Sequence, residues 1–369
     1  MSSHTSIPSG KRTLFLIGPG FIGGTILSQL LASRPSDFHI KVLTRRQEQA
    51  DQLKAQGIHE TILGSLDDTD LIASHAKTAD VIIHAATADH APSALAVADG
   101  LKQRDTSRGR AIFIHTSGND ELVGAGEPGM SKEDRKVSDA WQDEEIEKRM
   151  RKDAYHRQVD GPLREAIMND EAEQKYNIRT VILMPPLIYG ISPSAFGSRL
   201  SIQTPMLARS MLARGPFVLS EGHRGGWNAV SVDDVASTYL VTLKELEKEA
   251  ATTGKGRHYV FPSEPEPFSW KEHIDAVSSR VLAHTGASPS SVRTISTPDD
   301  FEAAVGGKEE NPYAPCLTSV VFDEEHNGYT RPERLTKEWG FKHQSTGVIK
   351  SILEGGELEG LLKEEAKKA

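Results

Sequence analysis

Three glycines stand at a spacing that suits phosphate binding, directly after an apolar run (LFLI) and before an amphipathic run that reads as a helix. In a strand–turn–helix unit the first glycine allows a tight turn, the second lets backbone approach a pyrophosphate, and the third lets the helix pack closely on the strand. The helix N-terminus also offers free N–H groups to phosphates. The sequence therefore predicts a dinucleotide site; the alternative is a tight turn that binds nothing. The residues expected to contact the dinucleotide are Gly18, Gly20, Phe21, Ile22 and Gly23.

Thr44, Arg45 and Arg46 stand at the end of the second apolar run. Sites for NAD usually carry an acidic residue at this point, which binds the ribose 2′-hydroxyl, whereas an arginine accommodates a 2′-phosphate. The planar guanidinium fork matches a phosphate better than an ammonium group does. Because the sequence has no acid here, it predicts NADP(H) as the cofactor. The alternative is that both arginines are merely solvated at a strand end.

The elements that position these residues alternate between strand and helix. Six nearly continuous apolar runs read as buried strands, and the segments between them read as helices. This alternation predicts βαβ units and a parallel sheet that is covered by helices on both faces. The predicted strands are residues 14–17, 39–44, 61–63, 80–84, 110–116 and 179–184.

We predict an α/β fold, namely a Rossmann doubly wound parallel sheet with a smaller C-terminal mixed α/β substrate domain. The NADP(H)-binding Rossmann domain is expected to comprise residues 1–190 and 228–250, and the substrate-binding domain residues 191–227 and 251–369. The cleft between them is the expected active site. The densely charged residues 124–160 predict a solvated helix laced with ion pairs, or else an insertion or mobile flap near the active site.

Charge and cysteine content narrow the class of protein. With 369 residues and a formal net charge of −9, the chain is long enough for one or two domains and too acidic to favour nucleic acid or anionic membranes as partners. Its single cysteine, Cys316, excludes an intramolecular disulfide and fits a reducing compartment. The chain shows no membrane-length apolar run and no signal-peptide core, so a cytoplasmic protein with a small-molecule substrate is expected.

Several further short motifs follow one another along the chain. They are GSLD at 64–67, HAAT at 84–87, TSG at 116–118, MPPLIYG at 184–190, VSVDD at 230–234 and NGYTR at 327–331. Together with the glycine motif they resemble the short-chain dehydrogenase/reductase superfamily in its extended or atypical branch, which includes epimerase/dehydratase-like and NmrA-like proteins. The resemblance covers nearly the whole chain.

The resemblance implies a role for each of these segments. It implies that Ser117 is the active-site serine and that three other segments supply contacts to the cofactor. Members of the superfamily often dimerise through helices of the Rossmann domain, and the sequence leaves a homodimer open. The implied cofactor contacts are Ser65 and Leu66 by the adenine, Ala85 and Ala86 along the cofactor, and Pro185, Leu187 and Ile188 at the nicotinamide.

One departure from the family pattern concerns the catalytic pair. The superfamily uses a tyrosine followed four residues later by a lysine, which lowers the pKa of the tyrosine so that it exchanges a proton with substrate. Tyr155 stands in place, but position 159 is Val159. Three hypotheses stay open: Tyr155 acts with Ser117, His156 acts as acid or base oriented by Asp160 one helical turn away, or the site is inert.

Local patterns carry three smaller expectations. Gly161-Pro162 predicts a break in the helix that carries the catalytic residues. Asp233 and Asp234 read as N-capping residues of the helix that they open. No His/Cys spacing supports a metal site, and Ser117 lacks the G-x-S-x-G setting of a hydrolase.

The residues and the resemblance together predict an NADP(H)-dependent oxidoreductase that acts on a small organic carbonyl or alcohol. Hydride would pass between cofactor and substrate, while Ser117 with Tyr155 or His156 handles the proton. Two alternatives are an epimerase or dehydratase that oxidises its substrate transiently, and a catalytically silent NADP(H)-binding protein of the NmrA-like kind. The missing lysine favours the silent alternative, whereas Ser117 and Tyr155 favour an enzyme.

Overall fold

The computed structural model describes residues 11–122, 136–194, 199–248, 256–322, 329–354 and 356–365. The Gly/Pro loop at 124–129 and the start of the charged run after it lie outside these ranges, as do the first two residues of the NGYTR motif. Among the described residues, no helix is long and apolar enough to cross a membrane.

Strands and helices alternate through the first part of the chain. The strands are β1 (Arg12–Ile17), β2 (Phe38–Thr44), β3 (Glu60–Leu63), β4 (Val81–His84), β5 (Ala111–Thr116), β6 (Val137–Ser138), β7 (Ile178–Leu183), β8 (Leu187–Tyr189), β9 (Phe217–Leu219), β10 (Gly226–Trp227), β11 (Ala229–Ser231), β12 (Tyr259–Val260), β13 (Phe268–Ser269), β14 (Arg293–Ile295) and β15 (Thr330–Arg331). The helices are α1 (Phe21–Ser33), α2 (Gln47–Ala55), α3 (Thr69–Ala76), α4 (Ala91–Lys102), α5 (Asp143–Glu147), α6 (Arg157–Ala166), α7 (Asp170–Tyr176), α8 (Gln203–Arg214), α9 (Val232–Glu247), α10 (Trp270–Thr285), α11 (Pro298–Ala304), α12 (Gly307–Glu310), α13 (Ala314–Phe322), α14 (Val348–Leu353) and α15 (Gly356–Glu365).

Seven parallel strands form the main sheet, in the order β12-β7-β5-β4-β1-β2-β3. The chain winds outward from β1 to β3 and then returns to the other side of β1 with β4, so the direction of winding reverses between β1 and β4. Ligands bind at such a switch point, outside the carboxyl ends of the strands. The predicted α/β fold with a Rossmann-type parallel sheet is confirmed, and each of the six predicted strands lies in it.

The alternating side chains of β1 explain how helices cover both faces of the sheet. Phe15 and Ile17 belong to a core shared with α4 and α6, whereas Leu14 and Leu16 belong to a second core shared with α1 and α9. Successive strand residues point to opposite faces, so a sheet covered on both sides requires uninterrupted apolar runs.

The C-terminal part of the chain is mostly helical. The strands described in it form short pairs, β9 with β14 and β10 with β13, while α8, α10 and α13 supply much of a third core. Phe217, Trp270 and Phe301 are fully buried there. The predicted mixed α/β character is present, with helices predominating.

The expected break at Gly161-Pro162 is wrong, because α6 continues through both residues. Val159 and Leu163, on either side of them, are buried in the core beneath the sheet. Burying two such side chains contributes roughly 3–5 kcal/mol, which is enough to offset the ~3 kcal/mol that a proline costs inside a helix.

The expected capping of α9 by aspartate is also wrong. The N-cap residue is Ser231, whose hydroxyl accepts the N–H of Asp234 at 3.1 Å. The Asp234 carboxylate instead accepts the N–H groups of Gln344 and Ser345, at 3.0 and 3.1 Å. Asp234 therefore holds a C-terminal loop against the start of α9.

Candidate active site

The glycine turn between β1 and α1 has the geometry that the motif predicts. Gly18 has φ +91°, and a Cβ there would lie 2.3 Å from Cα of Ala86 in the loop after β4. A Cβ at Gly23 would lie 2.1 Å from the carbonyl oxygen of Gly18, so α1 packs directly on the turn. Apart from its chain neighbours, no described residue has an atom within 4 Å of the position that a Cβ of Gly20, the N-cap residue of α1, would take. The turn therefore leaves room for a phosphate at the helix N-terminus.

Both arginines after β2 are exposed. Thr44 donates its hydroxyl to Oε1 of Gln49 at 2.5 Å, and the Gln49 amide donates to the carbonyl of Pro19 in the glycine turn at 3.4 Å. Within the described ranges, neither Arg45 nor Arg46 pairs with a carboxylate. Two guanidinium groups thus stand unpaired at the strand end beside the glycine turn.

The remaining predicted cofactor contacts follow the same sheet edge. Their strands are neighbours in a parallel sheet, so the carboxyl ends lie side by side. The β8 residues are the exception, because β8 pairs with β11 outside the main sheet. Phe21 and Ile22 open α1, Ser65 and Leu66 follow β3, Ala85 and Ala86 follow β4, Pro185 follows β7, and Leu187 and Ile188 belong to β8.

Ser117 follows β5 and is held against the end of β7. Its N–H donates to the carbonyl of Leu183 at 2.8 Å, and the N–H of Asn119 donates to the carbonyl of Pro185 at 3.1 Å. The Ser117 side chain is 5% exposed, and its hydroxyl has no hydrogen-bond partner in the described part of the chain. Leaving a buried hydroxyl unpaired costs free energy, and a bound ligand would recover it.

Tyr155 precedes α6 and lies outside any helix. Its side chain is 62% exposed and makes no hydrogen bond to the residues that the structure describes. Val159, four residues later, is buried in the core with Leu163. The phenol of Tyr155 is therefore unpaired, and position 159 supplies no charge to it.

His156 pairs with two aspartates, and neither is Asp160. Nδ1 lies 2.6 Å from Oδ1 of Asp89 in the loop after β4, and Nε2 lies 2.9 Å from Oδ1 of Asp120 in the turn after β5. Burial opposes the positive charge, but the contacts with Asp120 and Asp89 outweigh it and raise the pKa of His156 to about 11. The expectation that Asp160 orients His156 is wrong, because Asp89 and Asp120 occupy both ring nitrogens and the Asp160 side chain is fully buried.

Asp160 belongs instead to a buried group of charged residues around the end of β5. Its Oδ1 lies 3.4 Å from Nε2 of His115, and both side chains are fully buried. Glu121 is fully buried as well, and its burial together with the charge of Asp160 raises its pKa to about 9. Nη1 of Arg157 lies 3.8 Å from Oε2 of Glu121. Glu121 is therefore a neutral acid at pH 7.

The sequence interpretation missed Asp89, Asp120 and Glu121. All three stand in loops that directly follow predicted strands, and that position could have identified them as candidate site residues. In an open α/β sheet those loops form the ligand-binding edge, so acidic residues in them are candidate site residues in the same way as Ser117.

Comparison with known proteins supports a nicotinamide cofactor. Residues 18–165 match a sequence-family model described as NAD(P)H-binding. The protein oxidase ucsJ of Acremonium sp is 33% identical to this chain over 114 residues. That alignment covers 30% of this chain and 32% of the relative, so the chain matches about a third of the relative's length.

Solved structures share the fold over nearly the whole chain. UDP-glucuronic acid 4-epimerase from Bacillus cereus, in complex with NAD, has a TM-score of 0.60 at 13% identity and covers 96% of this chain and 99% of its own. The dTDP-glucose 4,6-dehydratase from Bacillus anthracis, also in complex with NAD, has a TM-score of 0.60 at 11% identity with the same coverage. UDP-N-acetylglucosamine 4-epimerase from Methanobrevibacter ruminantium has a TM-score of 0.58 at 11% identity and covers 97% and 99%. At these identities the likeness shows the fold.

Proposed function

We propose that the protein is an NADP(H)-dependent oxidoreductase that acts on a small organic carbonyl or alcohol. The observation that carries the proposal is the buried, unpartnered hydroxyl of Ser117, at the same sheet edge as the open glycine turn. A substrate bound at this edge would offset the cost of leaving this group unpaired.

The residues of this edge fit a dinucleotide. The open backbone at Gly20 and the N-terminus of α1 would bind the pyrophosphate, and Arg45 and Arg46 would bind a 2′-phosphate. The bound cofactor supplies hydride exchange with the substrate carbon. The other contacts that we propose are Ser65 and Leu66 near the adenine, Ala85 and Ala86 along the cofactor, and Pro185, Leu187 and Ile188 near the nicotinamide.

The substrate is proposed to lie between two parts of the chain. The division that we propose is a cofactor domain of residues 1–190 and 228–250, and a substrate domain of residues 191–227 and 251–369. The packing of α9 on α1 supports the return of the second segment to the cofactor domain. Strand β12 departs from this division, because it lies in the range assigned to the substrate domain but pairs with β7 in the main sheet.

Ser117 and Tyr155 are the proposed proton-handling residues. The Ser117 hydroxyl would donate a hydrogen bond to the substrate oxygen as negative charge develops there. The exposed and unpaired phenol of Tyr155 would supply the proton. His156 is the weaker candidate, because the two carboxylates that pair with it keep it charged near neutral pH.

Two other functions compete with this proposal. The buried Val159, four residues after Tyr155, favours a silent NADP(H)-binding protein of the NmrA-like kind, since no lysine at that position activates the phenol. The fold neighbours include an epimerase and a dehydratase and so favour this kind of enzyme, in which the cofactor is reduced and reoxidised within one turnover.

The test is NADPH consumption with a panel of aldehydes and ketones, followed by absorbance. We expect turnover with at least one class of carbonyl, and a loss of roughly 100-fold in kcat for Ser117→Ala, the typical cost of removing one donor to a developing oxyanion. Ser74→Ala, an exposed serine on α3, is the matched control.

Three outcomes would contradict the proposal, each in a different way. Tight NADPH binding without turnover would favour the silent protein. Substrate conversion without net NADPH consumption would favour an epimerase or dehydratase. Equal rates in Ser117→Ala and the wild-type protein would remove Ser117 from the site.

A further inference from the structure

Asp89, His156 and Asp120 form a cluster that we call the clamp. Each residue comes from a different segment: the loop after β4, the residue before α6, and the turn after β5. The two ring nitrogens of His156 lie 2.6 Å and 2.9 Å from carboxylate oxygens of Asp89 and Asp120. One imidazole therefore joins two loops that are separate in the sequence.

The clamp lies against the backbone next to Ser117. A Cβ at Gly118 would lie 2.8 Å from Oδ1 of Asp120 and 2.8 Å from Nε2 of His156. The absence of a side chain at Gly118 thus makes room for the clamp. Asp89 is braced in turn by its own loop, since its N–H donates to the hydroxyl of Thr87 at 3.2 Å.

The geometry of the clamp requires a charged imidazole. A neutral imidazole has one N–H and one acceptor nitrogen, whereas both nitrogens are donors in the cation. With a carboxylate oxygen at hydrogen-bond distance from each nitrogen, only the cation satisfies both contacts. The edge of the Tyr155 ring, with its centroid 6.0 Å from that of His156, adds no competing charge.

We propose that His156 is a positioning residue that holds the loop after β4 and the turn after β5 at a fixed separation, and that it is not the acid or base of the reaction. The first of these loops contains Ala85 and Ala86, and the second contains Ser117. The clamp therefore sets the distance between the backbone proposed to bind the cofactor and the hydroxyl proposed to bind the substrate. Only the tests of this inference that measure turnover depend on the proposed function.

The first test needs no turnover. Nitrogen chemical shifts of the histidine side chains are followed by NMR in the protein without added cofactor between about pH 6 and pH 9, with His156→Gln used to assign the signal. We expect both nitrogens of His156 to keep the shifts of the cation over the whole interval. A titration of His156 within it would overturn the proposal, whatever the protein's activity.

The second test separates charge from acid–base chemistry. His156→Gln can bind one carboxylate, whereas His156→Arg keeps a positive charge and donors for both. We expect His156→Gln to lower kcat/KM by roughly 30-fold, the order of loss that a small misplacement causes, with the pH profile of kcat unchanged. His156→Arg should recover most of that loss, and Asp120→Asn should resemble His156→Gln.

The matched control is His284→Gln, an exposed histidine in the last turn of α10. An acid–base role for His156 predicts the opposite pattern: both His156 variants lose activity, and an ionisation disappears from the pH profile. That result would overturn the proposal. Melting temperatures of all the variants show whether each one is folded. If His156→Arg is not folded, the NMR titration of the wild-type protein tests the proposal instead.

Discussion

Glu121 lies in the turn that follows Ser117 and is a neutral acid there, since burial and the charge of Asp160 raise its pKa to about 9. In the unfolded chain the same carboxyl ionises near 4.5. Between these two pH values the unfolded state has lost the proton and the folded state keeps it. The contribution of Glu121 to stability is therefore full below about pH 4.5 and is lost as the pH rises towards 9.

Glu121→Gln should flatten this dependence, because the amide is neutral at every pH. We expect the free energy of unfolding of the variant, relative to the wild-type protein, to improve by on the order of 5 kcal/mol between pH 5 and pH 9 in urea titrations, at ~1.4 kcal/mol for each pH unit. Glu309→Gln on the exposed helix α12 is the matched control. Parallel curves for Glu121→Gln and the wild-type protein would contradict a buried neutral acid.

The partners of single residues show what sequence reasoning can reach. The turn at Gly18 was predictable because its requirement is local: a positive φ and a close approach to a neighbouring loop. The partner of His156 could not be predicted, because Asp89 is 67 positions away in the sequence and contacts His156 only through the packing of the sheet. Helical spacing pointed to Asp160 instead, and that pairing fails because the Asp160 carboxylate is buried beside His115.

At the scale of elements, a buried ionic group fastens β12 to the helices before β7. Nδ1 of His258 lies 2.5 Å from Oδ2 of Asp143, and Nε2 lies 3.5 Å from Oε1 of Glu173. Arg164 of α6 lies 2.9 Å from the same Asp143 carboxylate. Burial opposes the charge of His258, but the hydrogen bond with Asp143 and the nearby carboxylate of Glu173 raise its pKa to about 9.

This group predicts how the stability of the edge of the sheet depends on pH. Because the folded pKa of His258 lies above its unfolded value of 6.5, its contribution is full below pH 6.5 and is lost as the pH rises through 9. His258→Gln should therefore cost about 3 kcal/mol at pH 6, at ~1.4 kcal/mol for each pKa unit, and much less at pH 10. The measurement is denaturant unfolding at both pH values, with His284→Gln as the control. An equal cost at both pH values would argue against a charged His258.

Strands were easier to predict than helix ends. Five of the six apolar runs form strands that are buried on both faces, and the sixth, β3, is a partly exposed strand at the edge of the sheet. The two-residue strand β12 is too short to show a pattern. The predictions of where α6 begins and of which residue caps α9 were wrong for a related reason. Caps depend on one hydrogen bond, and several nearby residues can make it: Ser231 does so in place of Asp233.

At the scale of the whole molecule, buried hydrogen bonds join the Ser117 turn to the C-terminal part. The Asn119 amide donates to the hydroxyl of Thr330 at 3.3 Å, and the N–H of Thr330 donates to Oδ1 of Asn228 at 2.8 Å. The two parts of the chain thus meet at the edge where the cofactor is proposed to bind, which is where a substrate cleft belongs. The order of motifs predicted that the chain has two parts. These contacts between them could not be predicted from the sequence, because they depend on how distant segments pack.

We propose that this edge binds a dinucleotide and recognises its 2′-phosphate through Arg45 and Arg46. The most direct measurement is the affinity for NADPH and for NADH by fluorescence titration, in the wild-type protein and in an Arg45→Ala/Arg46→Ala variant, with the exposed Arg293→Ala as the control. We expect the wild-type protein and the control to bind NADPH at least about 10-fold more tightly than NADH, and the double variant to lose this preference while it still binds NADH. Equal affinity of the wild-type protein for the two cofactors, or binding of neither, would contradict it.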